Sequence, residues 1–162
     1  MLAEDNMAIA QTKTSRQPRG GHKFIEGTLS SPLLQFNIDE EIALQRQEDS
    51  WLRGAGRSSK TLVKHPDLRI VLISMKANTR MHEHKATARI SIQTISGHVR
   101  LRLPERTADL PAGHLLVLDQ CLPHDVEALE DSAILLTLSW PPEAEIKECK
   151  SHGKKKVRHA GK

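Results

Sequence analysis

Alternation of apolar and polar side chains dominates the middle of the chain. In His98-Val99-Arg100-Leu101-Arg102-Leu103, the three aliphatic residues fall on one side and the polar ones on the other. That period of two marks a half-buried strand. Comparable segments run over 61–65, 68–76, 89–95, 107–110, 114–118, 124–129 and 133–140, with a further short one around His82 and His84. Turn residues separate them: Pro66-Asp67, Ala77-Asn78-Thr79, Ser96-Gly97, Pro104-Glu105 and Pro111-Ala112-Gly113. His114 to Leu118 reads as a buried apolar strand. Leu29 to Phe36 reads as a short edge strand, because Pro32 bars a central position. Short strands with turn signals every eight to twelve residues predict an all-β sandwich or barrel.

One segment breaks the pattern. Asn37 precedes Ile38-Asp39-Glu40-Glu41, an N-cap followed by acids in the first turn, where the helix dipole favours them. Ile38, Ile42, Leu44 and Trp51 give an imperfect stripe, and Gly54-Ala55-Gly56 ends it. The spacing predicts one helix over 38–53, packed outside a sheet. Residues 1–28 carry too little apolar surface to offset chain entropy and are expected to be disordered. Pro141-Pro142 closes the folded part, so the domain is expected over 29–140, with its barrel over 59–140 and a disordered basic tail over 141–162.

Composition changes this picture little. With 162 residues and 38% hydrophobic content, the chain suits one domain with part of its length outside the core. The net charge of +4 is uneven: Lys147 to Lys162 hold seven Lys or Arg and one Glu, so the rest is slightly acidic. No Tyr occurs and no aromatic lies in that tail, so no stacking platform for nucleic acid is present and a solubilising tail is expected. There is no apolar run of about 18 residues, and no membrane partner is expected. Two cysteines, Cys121 and Cys149, make no disulfide framework, and a cytoplasmic setting is the default.

Candidate chemistry centres on Arg80-Met81-His82-Glu83-His84. On a strand, His82 and His84 share a face, with Glu83 opposite. Two such imidazoles grip a transition metal if a third ligand arrives from a neighbouring strand, and His124 in Pro123-His124-Asp125 is the candidate. Ligand identity alone does not choose among Fe, Zn, Mn, Ni and Cu. The alternative is that His82 and His84 simply face water.

The arrangement resembles the small single-domain cupins. Their first motif is His-x-His, a Glu some positions on, then a Gly after the strand; Met81-His82-Glu83-His84 followed by Gly97 is similar. Their second is a Gly, a Pro-x-Gly turn and a His; Gly113 followed by Leu122-Pro123-His124 is similar. The resemblance implies a cupin-type antiparallel jelly-roll barrel with one N-terminal helix, and a homodimer. Ser91, Gln93 and Ile95 would form the outer face for self-association, with Ile90, Ile92 and Thr94 inside. The departures are specific. No carboxylate lies between Lys85 and Gly97, the usual Glu position falls at Ile90, and Asp119 and Cys121 replace the Pro and Gly of the second motif. The family's three-His-one-Glu sphere is therefore reduced to His82, His84 and His124 as metal ligands.

Two readings follow. One is a metal-dependent enzyme of dioxygenase or isomerase type acting on a small molecule in the barrel. The other is a non-catalytic ligand-binding or regulatory module without metal. No general acid or base stands out beyond the histidines, so no catalytic residue is assigned. Ile90, Ile92, Arg89 and Cys121 are candidates for the ligand pocket: Arg89 through its fork toward a carboxylate, Cys121 as a thiolate or as a small buried turn residue. His98 and His114 are expected at the surface, and Cys149 is expected to be inert.

Overall fold

A computed structural model describes residues 29–142. The tails expected at 1–28 and in most of 141–162 lie outside the described residues, as does Cys149.

Nine strands follow a short helical segment. They are β1 Arg57–Lys64, β2 Leu68–Met75, β3 Arg80–His84, β4 Arg89–Ser96, β5 His98–Arg102, β6 Thr107–Pro111, β7 Leu115–Leu118, β8 His124–Ala128 and β9 Ser132–Ser139. All pairings are antiparallel. One sheet has the order β1-β2-β9-β4-β7 and the other β3-β8-β5-β6. Chain neighbours thus repeatedly cross from one sheet to the other, as in a jelly roll.

The main core lies between the sheets. Ile90 and Ile92 of β4 meet Val99 and Leu101 of β5 and Val126 of β8 there. Each such side chain stabilises the fold by about 1.5–3 kcal/mol through removal from water. Alternation is kept along β4: Ile90, Ile92 and Thr94 are buried, while Gln93 is exposed and Ser91 half-buried on the opposite face. The jelly-roll fold with an N-terminal helical segment is as expected from the sequence.

The helical region departs from a single rod. α1 spans Ile38–Gln45 and α2 spans Asp49–Leu52, with turns between them. Asn37 caps α1 through its side chain, accepting from Glu40 N. α1 covers the outer face of β1 and β2, where Ile42, Leu62, Leu72 and Ala133 form a second core. Gln45 anchors it: Nε2 donates to Leu72 O at 3.0 Å, and Oε1 accepts from Ser74 Oγ at 2.6 Å. Trp51 is buried in α2, with the Arg46 and Lys76 cations 5.5 and 5.6 Å from its ring.

Two edge expectations need correction. Residues 29–36 form no strand; the Leu29 carbonyl accepts from Lys64 N at 3.0 Å, and Phe36 packs against the second core. β7 is not a buried strand. It lies at the edge of its sheet and alternates, with Leu118 on the core face and Leu115 and Val117, 59% and 64% exposed, on the outer one. An apolar run in sequence cannot tell a central strand from an edge one.

The outer face of the four-stranded sheet is charged. Arg80 pairs with Asp125 at 2.6 Å, Arg102 with Asp125 at 3.3 Å and with Glu127, and Arg100 with Asp109 at 2.6 Å. These side chains alternate with the core residues of the same strands, as the period of two requires.

Candidate functional site

β3 and β8 bring two of the three candidate histidines together. His84 sits directly opposite His124, and their ring centroids are 4.4 Å apart at a tilt of 57°. Each ring is fixed in the same way. Nδ1 of His84 donates to the His82 carbonyl, and Nδ1 of His124 to the Leu122 carbonyl, both at 2.9 Å. A carbonyl can only accept, so Nδ1 carries the hydrogen, and in the neutral ring Nε2 is left with its lone pair. His124 is 2% exposed and His84 is exposed.

His82 stands apart from this pair. The β3–β8 register shifts between Met81 and His84, placing a bulge at His82 and Glu83. A bulge breaks strict alternation and re-aims the side chains within it. His82 and His84 still border one cleft, but Glu83 lines another cavity beside His84 instead of standing simply opposite. Among the described residues, no three His, Cys, Asp or Glu side chains gather closely enough to hold a metal ion. Ile90, where the resemblance places a carboxylate, is core. The residues therefore do not fit the family's four-ligand sphere, and the trio His82, His84 and His124 is not assembled.

The larger cavity, about 970 Å³, opens at the end of the sandwich. One wall is ionisable, with Glu83, His84 and Lys85 from β3 and its exit, and Glu105 and Arg106 from the β5–β6 turn. The other is apolar, with Val117, Leu118 and Leu122. Of the four pocket candidates, Cys121 alone lines this cavity. It sits in a left-handed turn at φ 62°. Ile90 and Ile92 are packed in the core, and Arg89 lies on the surface beside Asp119 at 3.4 Å. Sequence reasoning missed Arg106, Leu118 and Leu122. Only their position at the end of β7 and in the turns after β5 and β7 could have marked them, since loops at one end of a jelly roll share that end. His98 is half-buried, not exposed, while His114 is exposed as expected.

Burial lowers the pKa of His124. Proximity to His84 adds to this, and the Leu122 carbonyl opposes it in part. The unfolded chain binds this proton near the ordinary value of about 6.5, and the folded chain resists it until lower pH. Between those two values, unfolding takes up a proton. This contribution to stability is thus complete above about pH 6.5 and is lost as pH falls through the folded value. Melting curves from pH 5 to 7.5 should show the acid-side loss in the wild type and a shallower one in His124→Asn. Parallel profiles would show that His124 is not the group responsible.

No family model and no curated protein matches the sequence. Solved structures do match. A cupin-2 domain-containing protein from Shewanella frigidimarina is 16% identical at a TM-score of 0.53, over 64% of this chain and 93% of that one. A conserved protein of unknown function from Streptococcus pyogenes is 24% identical at 0.51, over 53% and 75%. A cupin 2 conserved barrel domain protein from Leptotrichia buccalis is 25% identical at 0.54, over 64% of this chain and 47% of that one.

Proposed function

We propose that this cupin-fold chain binds a small amphipathic molecule in the larger cavity, and that it does so without a three-histidine metal centre. The observation that carries the reading is the cavity itself. About 970 Å³ is ample for a small organic ligand, and the lining offers both ionisable and apolar side chains. An apolar body against Val117, Leu118 and Leu122 would set a polar end toward His84, whose Nε2 lone pair accepts a hydrogen bond. The pair of imidazoles anchors and orients; the enzyme reading rested on a three-ligand metal cluster, and no such cluster is found among the described residues, so the module reading is preferred.

Two measurements on the full chain test this. Anilinonaphthalene sulfonate, an amphipathic fluorescent probe, should bind the folded protein saturably, and Leu122→Trp should weaken it by roughly tenfold, which is about 1.4 kcal/mol. Unsaturable binding, or binding indifferent to Leu122→Trp, would count against the cavity. Metal analysis of the same preparation decides the rival. Stoichiometric Fe, Zn, Mn, Ni or Cu that disappears in His84→Ala and in His124→Ala would overturn the metal-free reading.

A further inference from the structure

The arginines of the described residues divide sharply by what they touch. Five of the nine pair with carboxylates. Arg46 and Arg69 lie over the rings of Trp51 and Trp140. The other two are Arg57 and Arg106, and each borders a cavity. A guanidinium left without protein partners at a concave surface is a ready donor fork for an oxyanion. Arg106 belongs to the cavity already described. Arg57 belongs to a separate cleft.

That cleft, about 340 Å³, lies between β1 of one sheet and β3 of the other. Arg57 and Ser59, two apart on β1, present their side chains to it with Ile73 beside them; Met81, His82 and His84 close it from β3. None of these six residues carries a carboxylate, whereas the larger cavity has Glu83 and Glu105. The acids near β1 are engaged on its other face, where Ser58 donates to Glu48 and Lys60 pairs with Glu41 at 2.5 Å. The turn that presents Arg57 is held in place: Gly56, at φ 69°, has its carbonyl bonded by Lys76 N at 2.8 Å. Arg57 thus supplies a permanent positive charge, Ser59 a hydroxyl, and His82 a ring N–H that a neutral imidazole always retains.

We propose that this cleft is a second binding site, which takes the oxyanion group, carboxylate or phosphate, of a small molecule on Arg57, Ser59 and His82. The cleft shares His84 with the larger cavity, but Arg57, Ser59 and His82 border the cleft and not that cavity, so a test at these three residues is distinguishable from one of the ligand proposed there.

The test is a titration of the full chain with inorganic phosphate and, separately, with succinate. Ionic strength is held constant with chloride, and backbone amide shifts are followed by NMR. Saturable shifts at Arg57, Ser59 and His82 are expected. The affinity should fall about tenfold or more in Arg57→Gln, recover in part in Arg57→Lys, and stay unchanged in Arg106→Gln. Whichever anion binds more tightly names the chemistry of the ligand group. Arg57 is exposed and makes no ion pair among the described residues, so Arg57→Gln should melt with the wild type; Ser59→Ala gives a second variant with a smaller loss. Equal affinity in the wild type and Arg57→Gln, or shifts reproduced by chloride alone, would overturn the proposal.

Discussion

Gly97→Ala should cost on the order of 3–5 kcal/mol, a large part of the margin of a domain this size. Two effects add. Gly97 links β4 to β5 with φ 79°, a conformation that costs an L-residue about 1–2 kcal/mol. A Cβ there would also lie 2.4 Å from Ser132 Oγ, 2.5 Å from Asp131 O and 2.7 Å from Ser132 Cα. Two of those atoms are backbone, so β9 itself would have to move. The serine hydroxyl is committed as well, accepting from His98 N at 3.0 Å and donating to Glu130 O at 2.7 Å. Gly113 provides the control. Its φ is 84°, but a Cβ there meets nothing within 4 Å. Gly113→Ala should therefore cost only the conformational part, about 1–2 kcal/mol. Urea denaturation of both variants separates the two effects, and equal losses would show that the close approach of β9 is not as described.

Gln45→Ala is expected to cost about 3 kcal/mol, with the loss concentrated on the attachment of α1. The side chain is 1% exposed, and both ends of its amide are bonded, to Leu72 O and Ser74 Oγ. Truncation leaves that carbonyl and hydroxyl without those partners in a closed space and opens a gap between helix and sheet. Gln45→Glu keeps the volume but loses the donor toward Leu72 O, and should be nearly as costly. The readout is local as well as global. Amide exchange over 38–45 should speed up more than exchange in β5 and β8. Uniform acceleration everywhere would mean that helix and sheet open as one unit.

The fold was legible because its signal is local. Alternation in His98 to Leu103 and the turn residues between strands specify a β sandwich whatever the tertiary detail. α1 was legible from Asn37 and the acids after it, but its end was not. The sequence reads on to Arg53, while α1 stops at Gln45 and a second short helix starts at Asp49. The pairing of His84 with His124 was partly legible, from spacing and from the motif the two resemble. The separation of His82 was not. It depends on one extra residue in β3 relative to β8, and a shift of register leaves no mark in the pattern of a five-residue strand. The cavity was least legible, since its walls come from turns far apart in the chain. Of the outer face expected for a second copy, Ser91 and Gln93 lie opposite the main core, with Leu115 and Val117 of β7 on that side, whereas Ile95 packs against the second core beneath α1.

The charged outer face of the four-stranded sheet also bears on how the strands find each other. Arg100 stands opposite Glu127, and Arg102 opposite Asp125. Sliding β5 by one position against β8 would turn guanidinium groups toward the core. Sliding it by two would keep the faces correct but leave an arginine opposite Leu129 or Pro123. Opposite charges thus act as a proofreading mark for strand alignment, rejecting the mispairing that an apolar core of interchangeable aliphatic residues would tolerate.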